Sequence, residues 1–215
     1  MKFTKEGARR TVLNCAKQYQ EKLANKTLLI VYRERRDNSI QSIEVTFYPR
    51  NYQHLTGVEM QDEEGNTLRN QSINFYRKCI ENKLSTDEIR FKNDGTTQLK
   101  LQALPALMDV KKITKITGDY NGRRPYLLVD KIMGGVNFCL GLTKEGSGYI
   151  PSSALLEDIR NLTNSPSQVL AIFEKDKGEE IYRTIRHVAK GLNIHNIDLP
   201  IEIQEKICME MDVEK

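Results

Sequence analysis

Three histidines, His54, His187 and His195, are the whole imidazole complement of this chain, so histidine chemistry has few places to occur. His54 stands in Tyr48-Pro49-Arg50-Asn51-Tyr52-Gln53-His54-Leu55-Thr56-Gly57-Val58, just after an extended run that Pro49 must end, because proline cannot donate to a strand ladder. The segment can present an imidazole, a guanidinium and a hydroxyl together at the edge of a sheet. On spacing alone, an imidazole that satisfies a turn is the plainer reading. His187 lies in the basic stretch Ile181-Tyr182-Arg183-Thr184-Ile185-Arg186-His187, and His195 lies near a turn; both read as surface or capping residues.

The other reactive types are sparse. Cys15, Cys79, Cys139 and Cys208 form no Cys-x-x-Cys pair and have no histidine at zinc spacing, so they read as small core residues, and neither a structural metal nor a cofactor is expected. No tight carboxylate cluster of the Asp-x-Asp type stands beside His54, which disfavours a metal-dependent hydrolase. Glu59 is the nearest acid, so any second proton-transfer group must come from elsewhere in the fold.

These groups need a scaffold, and 215 residues with 39% hydrophobic and 29% charged content suit one large folded domain, not a disordered or fibrous chain. The longest apolar runs, such as Leu28 to Val31, fall far below the roughly 20 residues of a membrane span. No secretion signal follows the basic first residues, and the expected compartment is the cytoplasm. The net charge of +4 is unevenly spread: residues 1–36 sum to +7 and residues 198–215 to −4. A basic beginning can attract phosphate and an acidic end can mask it, although two ordinary amphipathic helices explain the pattern as well.

Spacing predicts the elements. Apolar residues at three- and four-residue intervals give a helix over Lys5 to Ala24, and two extended runs around Asp37-Asn38-Ser39 give an antiparallel hairpin. Further helices are expected over Asn70 to Leu84 and Thr96 to Asp109, with Pro105 ending or kinking the second. Ile113 to Thr117, Tyr126 to Lys131, Val136 to Thr143 and Gln168 to Glu174 read as strands. Tyr149-Ile150-Pro151 is expected to lead into a short helix through Arg160 with Ser152 or Ser153 as N-cap, and Ile203 to Met211 into a closing helix. The order implies an α+β protein: an N-terminal helix and further helices packed on a twisted, mainly antiparallel β-sheet.

The string Tyr52-Gln53-His54-Leu55-Thr56-Gly57 resembles the aromatic-x-His-Leu-Thr/Ile-Gly segment of a phage-associated nuclease family in the barnase/EndoU/colicin E5 and D/RelE group, the fourth of its phage-type subgroups. Phe75-Tyr76-Arg77-Lys78, Tyr149 to Arg160, and Val169 to Lys175 with Tyr182 agree in order, so the resemblance spans roughly residues 25 to 187. Where the family carries threonine in a Pro-x-Thr-Leu-Leu segment, this chain has Ser152-Ser153-Ala154.

The resemblance implies a barnase-like fold and metal-independent cleavage of RNA, with tRNA as one candidate substrate, by attack of the ribose 2′-OH to leave a cyclic phosphate. His54 is then the acid/base candidate, since its ordinary pKa lies near ~6.5. Arg50 would hold the scissile phosphate, with Thr56, Ser152 and Ser153 offering hydroxyls and Lys175 a point charge. Tyr52 and Tyr149 would stack bases, and Lys78, Arg123 and Arg124 would meet the RNA backbone. The chain divides on this reading into a basic helix (1–24), a nuclease domain (25–197) and an acidic helix (198–215). A phage or mobile-element effector or toxin is implied, with a host or immunity protein as a further partner. The competing reading is a non-catalytic binder of RNA or of a host protein on the same fold.

Overall fold

The computed structural model describes residues 2–208. The opening helix α1 (Lys5–Lys22) starts where the Thr4 hydroxyl accepts from the Gly7 amide, and it buries Ala8, Val12, Cys15, Ala16 and Tyr19 on one stripe. The hairpin follows as expected, β1 (Lys26–Arg33) and β2 (Ile40–Phe47). Every residue from Thr27 to Tyr32 is buried, which explains the unbroken apolar run. Leu28, Ile30 and Tyr32 face a core shared with the helices, while Leu29 and Val31 face a second core on the other side.

After Pro49 comes α2 (Asn51–Thr56), closed by Gly57 in the left-handed conformation at φ 68°. A Cβ on Gly57 would lie 3.1 Å from Thr97 Cα and 3.0 Å from Lys100 Cδ, so glycine lets a later helix pack close. A small sheet of β3 (Glu59–Gln61), β4 (Thr67–Leu68) and β5 (Ile89–Arg90) brackets α3 (Ser72–Ile80). Then come α4 (Thr96–Leu107), which continues two residues past Pro105, and the short α5 (Val110–Ile113). The strands β6 (Ile116–Asp119), β7 (Lys131–Gly134), β8 (Cys139–Glu145), β9 (Gly148–Leu155), β10 (Ser167–Asp176) and β11 (Thr184–Val188) complete the sheet.

The open, helix-packed, barnase-like sheet of the expected α+β fold is overturned, although helix and strand content is mixed. β1 pairs with β2 on one edge and with β10 on the other, and the order β1-β2-β9-β8-β7-β6-β10 returns to β1. Seven strands therefore close into a barrel, with β11 added to the free stretch of β10. Closure rests on short seams: β2 meets β9 in one parallel pair, Val45 with Tyr149, and β6 meets β10 through two. Strand patterns show phase but not partners, so closure is not legible in the sequence.

Three local expectations also change. Residues 148–155 form the strand β9, not the lead into a capped helix; Pro151 is accommodated at a bulge between Gly141 and Leu142 of β8, and only a 3-10 turn at Ile159–Asn161 follows. Residues 126–130 lie outside any strand, and pairing begins at Lys131. The closing helix is the single turn α6 (Ile201–Gln204), and residues 209–215 of the acidic segment lie outside the described residues. Leu199, Ile203 and Ile207 of that segment cover Leu29, Val31, Ala171 and Phe173. Among the described residues no helix is long and apolar enough to cross a membrane.

Candidate functional site

His54 is exposed on α2, and the residues predicted around it divide between surface and core. Thr56 is fully buried, its hydroxyl donating to Gln53 O and accepting from Val58 N, so it closes its own helix. Tyr52 is fully buried in an aromatic cluster with Tyr19, Phe75 and Tyr76, and its hydroxyl donates to Val12 O at 2.6 Å. Neither faces solvent. Arg50 is ion-paired with Glu145 and lies over the Tyr48 ring, 4.3 Å from its centroid.

Ser152 comes near His54 through a residue that spacing did not single out. The Lys100 ammonium on α4 donates to His54 O at 2.6 Å and to Ser152 O at 3.3 Å. Burial, then the charge of Lys92, pulls this amine down to about 8. Burial and the charges of Lys100 and Lys92 likewise hold the His54 imidazole below its ordinary range. Among the described residues, no carboxylate pairs with the His54 ring. The Ser152 hydroxyl engages Thr143 Oγ1 at 2.9 Å, and Ser153 is buried opposite Gly141.

The remaining candidates lie apart. Lys175 sits 4.4 Å from the Tyr182 ring centroid and donates to Glu180 O; Lys78 is ion-paired with Glu88. Arg123 and Arg124 are exposed on the loop before β7, and Tyr149 is partly buried against the shared core.

A second constellation assembles around Glu174, which spacing does not single out, and takes in His187, expected to be a surface or capping residue. Glu174 on β10 is 3% exposed, and its carboxylate accepts from Lys111 at 2.6 Å and Arg186 at 2.9 Å, with Lys26 at 3.4 Å. Burial alone would raise this carboxyl, but hydrogen bonds from Arg186 and Lys111, and their charges, outweigh it and hold it below the usual carboxylate range. His187 on β11 pairs with Ile172, so it shares a sheet face with Ile172 and, two residues along β10, with Glu174. The Lys115 ammonium lies 3.2 Å from His187 Nδ1. Burial, then Lys115, pushes the His187 imidazole down.

This gathers a carboxylate, an imidazole and cations from β1, α5, β10 and β11 on one patch. The signal lay in phase: Glu174 continues the inward alternation through Ile172 at the end of an apolar strand, a costly place for a charge without partners. Thr184 to Val188 is a strand, and His187 on it is half-buried, not the surface or capping residue expected.

The model of the phage-Barnase-EndoU-ColicinE5/D-RelE like nuclease 4 family matches residues 11–191. The match covers most of the chain, and the protein belongs to this family of nucleases. No curated protein and no solved structure matches it.

Proposed function

We propose that the protein is an endoribonuclease that cuts RNA without a metal ion, at the face built by Glu174, Arg186 and His187. One observation carries the reading: a carboxylate and an imidazole lie on adjacent strands of one face, with Lys26, Lys111 and Arg186 around the carboxylate. Cleavage through the 2′-OH needs a base for that hydroxyl, an acid for the departing 5′-oxygen, and positive charge for the crowded phosphorane. Glu174 takes the 2′ proton, His187 protonates the leaving oxygen, and the three cations receive the phosphate.

A carboxylate so well compensated is a weak base. The entering phosphate supplies the remedy, because it competes for the same cations and so returns Glu174 toward an ordinary pKa. Arg186 is suited to this exchange, since its planar fork can serve a carboxylate and a phosphate in turn. His54, beside the cationic Lys92 and Lys100, then serves with Lys92 to receive RNA phosphates. A phage or mobile-element effector is the setting this activity fits, and the cytoplasm is where its substrate lies.

A second reading keeps the RNA and drops the cleavage, and the near-complete burial of Glu174 behind its ion pairs favours it. Purified protein incubated with total RNA and tRNA, with and without EDTA, separates the two. Fragments with cyclic-phosphate ends, insensitive to EDTA and absent with His187→Ala, are the expected result. Intact RNA bound in a salt-sensitive complex would move the function to binding, and loss of cleavage in EDTA would return a metal to the mechanism.

A further inference from the structure

A cleft of about 300 Å³ opens between α4 and β9, walled by Leu99, Lys100, Tyr126, Leu127, Leu155 and Leu156. Its rim is unusual for a surface that faces water: Tyr126 is 77% exposed, Leu99 64% and Leu156 54%. Side chains of this size are normally covered when they adjoin an apolar hollow. The loop that carries Tyr126 is held firmly. The Tyr120 hydroxyl accepts from Leu127 N at 3.1 Å and donates toward Pro125 O at 2.7 Å, while Asn121 is tied to Leu162 O and Asn161 O at its start. The ring is thus displayed by a braced loop.

The charges around the cleft narrow what it can hold. Arg124 lies 5.9 Å from the Tyr126 ring centroid, and Arg123 adjoins it in the same loop. The Lys100 ammonium reaches the wall with two of its three donors taken by His54 O and Ser152 O, leaving one donor for an acceptor in the cleft. Glu157 lines the cleft too, but its carboxylate accepts from Asp158 N at 3.0 Å and Asn161 Nδ2 at 2.9 Å, turned toward its own turn. An apolar peptide side chain would strip water from Lys100 and return nothing. A flat, acceptor-bearing ring with phosphates on either side satisfies the tyrosine, the lysine and the arginines together.

We propose that this cleft seats an unpaired base of the nucleic-acid substrate, stacked on Tyr126, so that single-stranded segments are preferred to duplex. The proposal rests on the reading of the protein as a nuclease and adds a subsite away from Glu174. A base paired in a duplex cannot present its face to Tyr126 without being turned out of the stack, which costs unpairing energy.

The test is binding without cleavage. A labelled single-stranded oligonucleotide lacking 2′-hydroxyls and a hairpin duplex of the same composition are titrated with wild type, Tyr126→Ala and Tyr126→Phe, each checked for an unchanged thermal transition. Tyr126→Ala is expected to weaken single-strand binding roughly 5- to 150-fold, the range for losing one stacking aromatic, with the slope of affinity against salt unchanged. Tyr126→Phe restores it, and the hairpin is bound more weakly and indifferently to the substitution. Single-strand affinity within about twofold of wild type in Tyr126→Ala, below what losing one stacked base predicts, overturns the proposal. Equal affinity for the hairpin, or no oligonucleotide binding by the wild type, also overturns it; the last result would leave the cleft to a protein partner. Since 2′-hydroxyls are absent, a protein that never cleaves RNA can still show the tyrosine effect, and one that cleaves well can lack it.

Discussion

Glu174 Oε1 and Arg186 Nη2 meet at 2.9 Å where the β10–β11 register shifts, with Ile172 opposite His187 and Phe173 opposite Ile185. The shift leaves Arg186 as the extra residue of a bulge, and a bulge re-aims a side chain. Arg186 thereby reaches the Glu174 carboxylate, while its neighbour His187 stays opposite Ile172 on the same face of β10 as Glu174. In a regular strand they would point to opposite faces.

Removing the carboxylate charge tests that meeting. Glu174→Gln takes the buried carboxylate charge from Lys111 and Arg186, while Lys26 keeps Asp176 at 2.9 Å, and breaking a buried ion pair of this kind costs about 3–5 kcal/mol. We expect a lower denaturation midpoint and, at temperatures where the variant is still folded, cleavage reduced by ~10² to 10⁴. Cleavage at the wild-type rate by folded Glu174→Gln would remove the residue from the mechanism.

Acid should destabilise the protein through the same group. Its folded pKa lies below the ordinary unfolded value near ~4.3, so its contribution is complete above that pH and is lost as pH falls toward the folded pKa. Urea midpoints measured between neutral pH and pH ~3.5 should fall more steeply for wild type than for Glu174→Gln.

The imidazoles give a kinetic signature. His187 is depressed below ~6.5 in the free protein, so the acid form that donates to the 5′-oxygen is scarce at neutral pH. kcat/KM is expected to fall as pH rises through that depressed value. The matching limb in kcat should sit higher, because bound phosphate favours the imidazolium. His187→Ala removes cleavage, whereas His54→Ala lowers RNA affinity and keeps both cleavage and the limb; loss of the limb in His54→Ala would restore His54 as the proton carrier.

Lys100 is a stability sensor on the alkaline side. Its folded pKa of about 8 lies below the ordinary lysine value near ~10.4, so the unfolded chain binds more protons between them and this group favours folding as pH rises through that window. Buried thiols and tyrosines titrate there with the opposite sign, so the measurement is a difference. Wild type should gain stability relative to Lys100→Met between pH ~8 and ~10.

Gly134 sits at φ 155°, and a Cβ there would stand 2.2 Å from Phe138 O, a backbone atom that cannot yield. Gly134→Ala must break the β7–β8 turn as well as strain its own backbone, so a loss of more than ~1–3 kcal/mol is expected by thermal unfolding.

Short-range patterns in the sequence encode the local elements. The amphipathic first helix and the β1–β2 hairpin are local, and both stand where spacing put them. Tyr52 shows where the resemblance misleads: it lies two residues after Arg50 and next to Gln53, yet it points into the core, since helix phase and not proximity decides exposure. Ser152 and Ser153 follow a proline and look like a cap, but pairing with β8 holds them extended through a bulge. The Glu174 patch was hidden because its members lie up to 161 positions apart, from Lys26 to His187, and only barrel closure brings them together.

That span has a meaning for how the protein is made. Ribosomes add residues from the amino end, so an emerging chain displays its basic helix and Lys26 long before Glu174, Arg186 or His187 exists. The strand that must flank β1 on its second edge arrives about 140 positions later than β1 itself. Throughout translation the Glu174 face is therefore held in separate pieces, and any activity of that face waits until the last strands have been made.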